Sequence, residues 1–87
     1  MVSSYSYKVY VEVMAVFTPE GRLIPKTITW EDGHVYLIDR VTDVRRACSL
    51  KAGGTGLRYT CLISGKTTHL FYEDDNKWFV ERKSAAV

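Results

Sequence analysis

Eighty-seven residues with a net charge of +2, 46% hydrophobic and 25% charged, describe one small globular domain and exclude a disordered chain. So short a domain leaves little room for the substrate cavity that most enzymes need. A charge this mild does not by itself assert nucleic-acid binding. Aromatic residues, at 13%, supply the large buried surfaces on which a small core depends.

Turn residues punctuate the chain at Pro19-Glu20-Gly21, Asp32-Gly33, Gly53-Gly54-Thr55-Gly56, Gly65-Lys66 and Asp74-Asp75-Asn76. The segments between them have strand length and are rich in Val, Ile, Tyr, Thr, Phe and Trp, which predicts a meander of about six antiparallel strands. Met1 to Ser4 reads as a frayed lead-in. From Tyr5 the alternation is strict: Tyr5, Tyr7, Val9, Val11, Val13, Ala15 and Phe17 share one face, and Ser6, Lys8, Tyr10 and Glu12 share the other. Met14 and Val16 make the second face apolar as well, so the far end of this strand is expected to be covered on both sides. Thr18-Pro19-Glu20-Gly21 closes the first hairpin, with Pro fixing φ and Gly supplying a positive φ.

The second strand runs from about Leu23 to Trp30, and Pro25, which has no N–H to donate, makes it an edge or a bulged strand. Asp32-Gly33 is the strongest hairpin signal. A strand from His34 to about Ala47 follows, with Val35, Tyr36, Leu37 and Ile38 in succession and then Val41 and Val44. Neither parity is clean, so a bulge or a sharp barrel corner is expected near Asp39-Arg40.

The last three strands can be paired by arithmetic. A two-residue turn at Gly65-Lys66 sets Cys61 opposite Leu70, Tyr59 opposite Tyr72, Arg58 opposite Glu73 and His69 opposite Leu62. A three-residue loop at Asp74-Asp75-Asn76, with Asn76 in the left-handed region, sets Glu73 opposite Lys77, Tyr72 opposite Trp78 and Leu70 opposite Val80. Tyr59, Cys61, Ile63, Leu70, Tyr72, Trp78 and Val80 then form the core. The reverse face carries Thr60, Leu62, His69, Phe71, Phe79 and Glu81 and is not polar. It should be covered, either by the first strand or by another molecule. Residues 1–87 read as a single domain with an ordered core over 5–82 and a loose tail over 83–87.

Few constellations suit catalysis or metal binding. The run Lys51-Ala52-Gly53-Gly54-Thr55-Gly56 is followed by a strand, whereas a phosphate-binding loop needs a helix to aim its amides. Cys48 and Cys61 lie symmetrically about it, so a simple hairpin sets them opposite each other, with free thiols as the expected state. Neither zinc-site spacing nor a CxxC pair is present, and the acids at 73–75 match turn chemistry rather than a calcium loop. Asp39, Asp43 and the arginines around them read as a solvated face with local ion pairs. No cofactor, no metal and no catalytic residue is expected. Lys8 and Glu12 interrupt the first apolar stretch and no run is long enough to span a bilayer, so a cytoplasmic protein is expected.

Binding is the better reading. Arg40, Arg45, Arg46, Lys51, Arg58 and Lys66, with Tyr36 and Tyr59 among them, combine cations for phosphates with rings for bases, as small barrels do on single strands. The alternative is a protein-interaction or homodimer module that uses the apolar face of Leu62, His69, Phe71 and Phe79.

The segment Ile28-Thr29-Trp30-Glu31-Asp32-Gly33-His34-Val35-Tyr36-Leu37-Ile38-Asp39-Arg40-Val41, with Asp43-Val44-Arg45-Arg46-Ala47 after it, resembles a group of short bacterial proteins of unknown function. They share a Trp, a tight turn, a Tyr, an Ile or Val and a basic run. The likeness extends to Arg58-Tyr59-Thr60, Phe71-Tyr72 and Trp78-Phe79. It implies a bacterial, cytoplasmic protein with an SH3-like barrel and carries over no functional residue. The expectation is therefore an all-β, partly open antiparallel barrel of five or six strands that binds rather than catalyses.

Overall fold

The computed structural model describes residues 4–49 and 54–85. Seven strands follow in chain order: β1 (Ser4–Phe17), β2 (Leu23–Thr29), β3 (Val35–Leu37), β4 (Arg40–Ser49), β5 (Gly54–Ile63), β6 (Lys66–Glu73) and β7 (Trp78–Ala85). They are antiparallel and hydrogen-bond in the order β3-β2-β1-β7-β6-β5-β4. No helix among the described residues is long and apolar enough to cross a membrane. The all-β expectation holds, with one strand more than foreseen, because the predicted strand from His34 to Ala47 divides into β3 and β4. Strand β7 also runs to Ala85, with Ser84 opposite Tyr5 and Ala85 opposite Ser4, past the expected end of the core at 82.

The division of that strand is the barrel corner. β3 and β4 lie at opposite ends of the sheet, yet only Ile38 and Asp39 separate them in sequence. Ile38 N–H still donates to Lys26 of β2 at 2.9 Å, while Asp39 N–H donates to Leu62 of β5 at 2.8 Å. One residue later the chain has changed partners. The Asp39 carboxylate also accepts from the Ser64 N–H at 3.1 Å, tying the corner to the β5–β6 turn. A bulge between Val41 and Asp43 follows immediately and adds the bend that curls the sheet.

Pro25 behaves as its chemistry requires. The β1–β2 ladder passes from Met14↔Thr27 to Ala15↔Pro25, a register shift at the missing donor, and the ring is fully buried. Loops with a left-handed third residue close the hairpins at Gly21 (φ 84°), Gly33 (φ 85°) and Asn76 (φ 67°). The last matches the expected register at Tyr72↔Trp78, with Phe71↔Phe79 beside it, but the expected pair of Leu70 with Val80 lies beyond the end of that ladder.

The β5–β6 turn differs. Ser64 (φ 50°) and Gly65 (φ 79°) form it, so Ile63 faces Lys66, Tyr59 faces Leu70 and Arg58 faces Phe71 rather than Glu73. His69 accordingly faces Thr60, and Leu62 faces Thr67. Both central residues of such a turn need positive φ, and Ser with Gly meets that need at less cost than Gly with Lys. The slip is two residues along the partner strand, so every side chain keeps its face. The core therefore forms as expected: Tyr59, Cys61, Leu70, Trp78 and Val80 are buried with Val9 and Ile28, and Ile63 and Tyr72 pack against them. Trp78 lies 4.7 Å from the Tyr72 ring and 5.4 Å from that of Tyr59. The Tyr59 hydroxyl donates to the Leu23 carbonyl of β2 at 2.6 Å, a strut across the interior.

Two expectations need correcting. Cys48 pairs with Thr55, and Cys61 with Val41, so the cysteines are not opposite. Ser49 pairs with Gly54, and Gly54, Thr55 and Gly56 belong to β5. Lys51 and Gly53 lie outside the described residues. The second face of β1 is also bare at its far end, where Met14 and Val16 are 67% and 43% exposed, because no further layer among the described residues covers β1, β2 and β3 on that side.

Gly56 is fixed by close packing. A Cβ there would lie 2.0 Å from the Tyr72 carbonyl oxygen, at a φ of +148°. Gly56→Ala should cost about 3 kcal/mol or more, whereas Gly33→Ala, with open space around its Cβ, should cost about 1 kcal/mol. Urea unfolding of both variants checks this, and equal losses would contradict it.

Candidate binding cleft and basic face

The basic residues fall in three places. On the outer face, Arg45 of β4 sits directly opposite Arg58 of β5, and Phe71, Phe79 and Tyr10 continue that row across the sheet. Arg40, opposite Leu62, is on the same face. Arg46, opposite Leu57, points to the other face, and Lys66 stands at the β5–β6 turn. The sheet thus joins Arg40, Arg45 and Arg58 and separates Arg46 and Lys66 from them. Asp43 neutralises Arg45 at 2.8 Å in the expected exposed ion pair. Arg58 Nε is buried and has no hydrogen-bond partner among the described residues.

The apolar reverse face is covered within the chain. Phe71 and Phe79 stack with ring centroids 4.9 Å apart and are 8% and 1% exposed. Tyr10 of β1 meets Phe79 edge-on at 5.9 Å, and the Lys8 ammonium lies 4.9 Å from the same ring. His69 is exposed and Leu62 half-buried. Lys8 and Tyr10 both donate to the Glu73 carboxylate, Tyr10 at 2.9 Å. The Lys8 hydrogen bond, helped by Tyr10 and by the charge of Lys77, holds the Glu73 carboxyl below its ordinary range against the opposing effect of burial. The same hydrogen bond raises the Lys8 ammonium.

The feature that sequence reading missed lies between β6 and β7. Their ladder consists of Phe71↔Phe79 and Tyr72↔Trp78 and then stops, although β6 extends back to Lys66 and β7 on to Ala85. Where they part, a cleft of about 710 Å³ opens, lined by Ile28, Trp30, Tyr36, Val80, Lys66 and His69 among others. Glu73 N–H donates to Lys77 of the β6–β7 loop at 2.8 Å, so by alternation the main-chain groups of Thr67 and His69 point towards β7. They have no ladder partner there among the described residues. Arg82 lies over the Trp30 ring at 5.0 Å and pairs with Glu31, holding β7 against the β2–β3 turn at the far side of the cleft. The signal that could have found it is the end of the alternation: Lys66-Thr67-Thr68-His69 in β6 and Glu81-Arg82-Lys83 in β7 are polar at both parities, so the two strands have little apolar surface to hold them together there.

Cys61 is fully buried, and burial pushes its thiol up to about 11, away from the range of a nucleophile. Among the described residues, no group of three or more His, Cys, Asp and Glu side chains is placed to hold a metal ion. No family model matches the chain, and neither the curated proteins nor the solved structures compared with it give a match.

Two outcomes are expected. The Glu73 contribution is fully present above the ordinary carboxylate pKa and is lost as pH falls through the lowered folded value. That of Lys8 is complete at neutral pH and fades only above the ordinary lysine range, so the acid limb reports Glu73. Glu73→Gln should lower stability at pH 7 and flatten its fall between about pH 5 and pH 3; urea midpoints that track wild type across that range would rule this out. In a Cys48→Ser background, Cys61 should resist iodoacetamide until the protein is unfolded, and rapid native alkylation followed by mass spectrometry would show otherwise.

Proposed function

We propose that this chain is a non-catalytic binding module that takes up an extended segment of polypeptide in the cleft between β6 and β7. The observation that carries the reading is the ladder that stops after two pairs. A cleft walled by strand edges offers main-chain donors and acceptors at strand spacing, and an extended peptide is the ligand that matches them. Alternate side chains of such a peptide would point inward to Ile28 and Val80, which line the cleft, and outward beside Thr67 and His69. The buried Cys61 thiol and the pairing of Glu73 with Lys8 and Tyr10 give the module a structural use for groups that an enzyme would hold ready for chemistry.

A second reading, nucleic-acid binding on the outer face of β4 and β5, is favoured by one contact. Arg45 and Arg58 are directly opposed, and because the Asp43–Arg45 pair is exposed and such pairs are weak, a phosphate would still find both cations on this face. Arg40 shares that face, and the likeness to short bacterial proteins of unknown function is compatible with either partner.

One experiment separates them. Isotope-labelled protein is titrated with a short peptide of alternating Val and Thr, and separately with a thymidine oligonucleotide. The peptide should slow hydrogen exchange at the Thr67 and His69 amides. No protection there at millimolar peptide removes the first reading. Shifts confined to Arg45 and Arg58 with the oligonucleotide, weakening steeply with salt, would establish the second instead.

A further inference from the structure

We infer that the opening between the β1–β2 hairpin and strands β4 and β5 is a second binding site, which takes a small amphipathic carboxylate with its apolar chain inside and its head at Arg22. A cavity of about 360 Å³ lies there, walled by Phe17, Leu23, Val44, Leu57, Tyr59 and Tyr72. Among the described residues that line it, Arg22 alone is charged. The cavity shares no lining residue with the cleft between β6 and β7, so it is a separate site.

The strand order explains the opening. β2 and β4 have no ladder between them. The corner at Ile38 and Asp39 joins the two sides at one point, and the Tyr59 hydroxyl spans to the Leu23 carbonyl of β2 at another. The walls come from both sides of that strut. Phe17 pairs with Leu23 at the end of the β1–β2 hairpin. Across the gap, Val44 pairs with Tyr59, and Leu57 with Tyr72. Leu23, Val44, Leu57 and Tyr72 pack against the core but are only partly buried, and Phe17 is 73% exposed. An apolar chain lying among them would withdraw that surface from water.

Charge at the mouth sets the class of ligand. Burial pushes the Tyr59 phenol up, and the positive charge of Arg22 opposes that, as a guanidinium beside the ring should. Arg46 sits opposite Leu57 on the same face and carries the row of Tyr72 and Leu57 to the edge of β4. Both arginines are exposed. Among the described residues neither forms an ion pair, and Glu20, two residues from Arg22, does not neutralise it. Apolar walls with a guanidinium at the rim match a ligand divided in the same way, because a carboxylate can accept two parallel hydrogen bonds from arginine. A cationic amphiphile would be repelled, and a neutral one would forgo that pair. The volume is near the lower end for ligand cavities, which suits a chain of medium length and not a large cofactor.

Sodium octanoate and octanol, titrated separately into the intact protein at up to about 3 mM, test this through the methyl resonances. Octanoate should shift the methyls of Leu23, Val44 and Leu57 saturably. Octanol has the same chain without the charge and should bind about tenfold more weakly or worse. Arg22→Gln, at an exposed position in the turn, should bring octanoate down to the level of octanol, with the amide spectrum showing that the variant is folded. Methyls that octanoate leaves unmoved overturn the inference, as do shifts confined to Ile28 and Val80 in the other cleft. Octanol binding as tightly as octanoate overturns the assignment of a carboxylate, and so does a folded Arg22→Gln that binds octanoate like wild type. The comparison of the two ligands on wild type decides the matter even where the variant does not fold.

Discussion

The structure depends on a change of partner between two adjacent peptide groups. Ile38 is the last residue to bond β2, and Asp39 the first to bond β5. Because one strand serves both, the two ends of a seven-stranded sheet are held within two residues of each other, and a meander that could lie open is curled round an apolar interior. The Asp39 carboxylate reinforces the exchange by accepting from Ser64. Tyr59 adds a second tie between the same two strands, since its buried hydroxyl needs a partner and finds the Leu23 carbonyl of β2. Burial is the main reason its phenol is harder to ionise than usual.

Curling the sheet this way fixes where it can be tight and where it must part. At one end Tyr59, Trp78, Tyr72 and Leu70 fill the interior, and β6 and β7 are zipped by the Asn76 loop. At the other, Arg82 reaches from β7 to Trp30 and Glu31, so β7 follows β1 and the β2–β3 turn while β6 follows β5. The two strands are pulled to different neighbours and the ladder between them ends. The cleft is thus a consequence of the corner and the Arg82 contact together.

What the sequence made legible was local. Turn chemistry at Gly21, Gly33 and Asn76 and the missing donor at Pro25 each act within a few residues, and each appears as expected. The corner near Asp39 could be read because a single strand changed parity there. The core survived a mistaken turn: choosing Ser64-Gly65 over Gly65-Lys66 moves the partner by two residues, and a period of two returns every side chain to its face. The cysteine pairing did not survive, because Gly54 and Gly56, read as loop, are already paired in β5 with Ser49 and Ala47. Gly56 is required by the approach of the Tyr72 carbonyl, not by a loop, and a composition pattern cannot tell these apart. The parting of β6 from β7 left a trace only in the polar runs Lys66-Thr67-Thr68-His69 and Glu81-Arg82-Lys83, which a reading centred on the large apolar residues passed over.

The apolar outer surface shows why alternation alone cannot assign a partner. Two patches looked equivalent in sequence, Phe71 with Phe79 and Met14 with Val16. The first is closed by its own sheet, because β1 lies beside β7 and brings Tyr10 and Lys8 over the stacked rings, with Glu73 anchoring both. The second lies on the half of the barrel that ends at β3, where no strand among the described residues supplies a cover, and Met14 and Leu37 remain in water. The difference is one of position in the strand order, which puts Phe79 near the middle of the sheet and Leu37 at its rim. A central row can be roofed by long side chains from both neighbours, but a rim row has a neighbour on one side only.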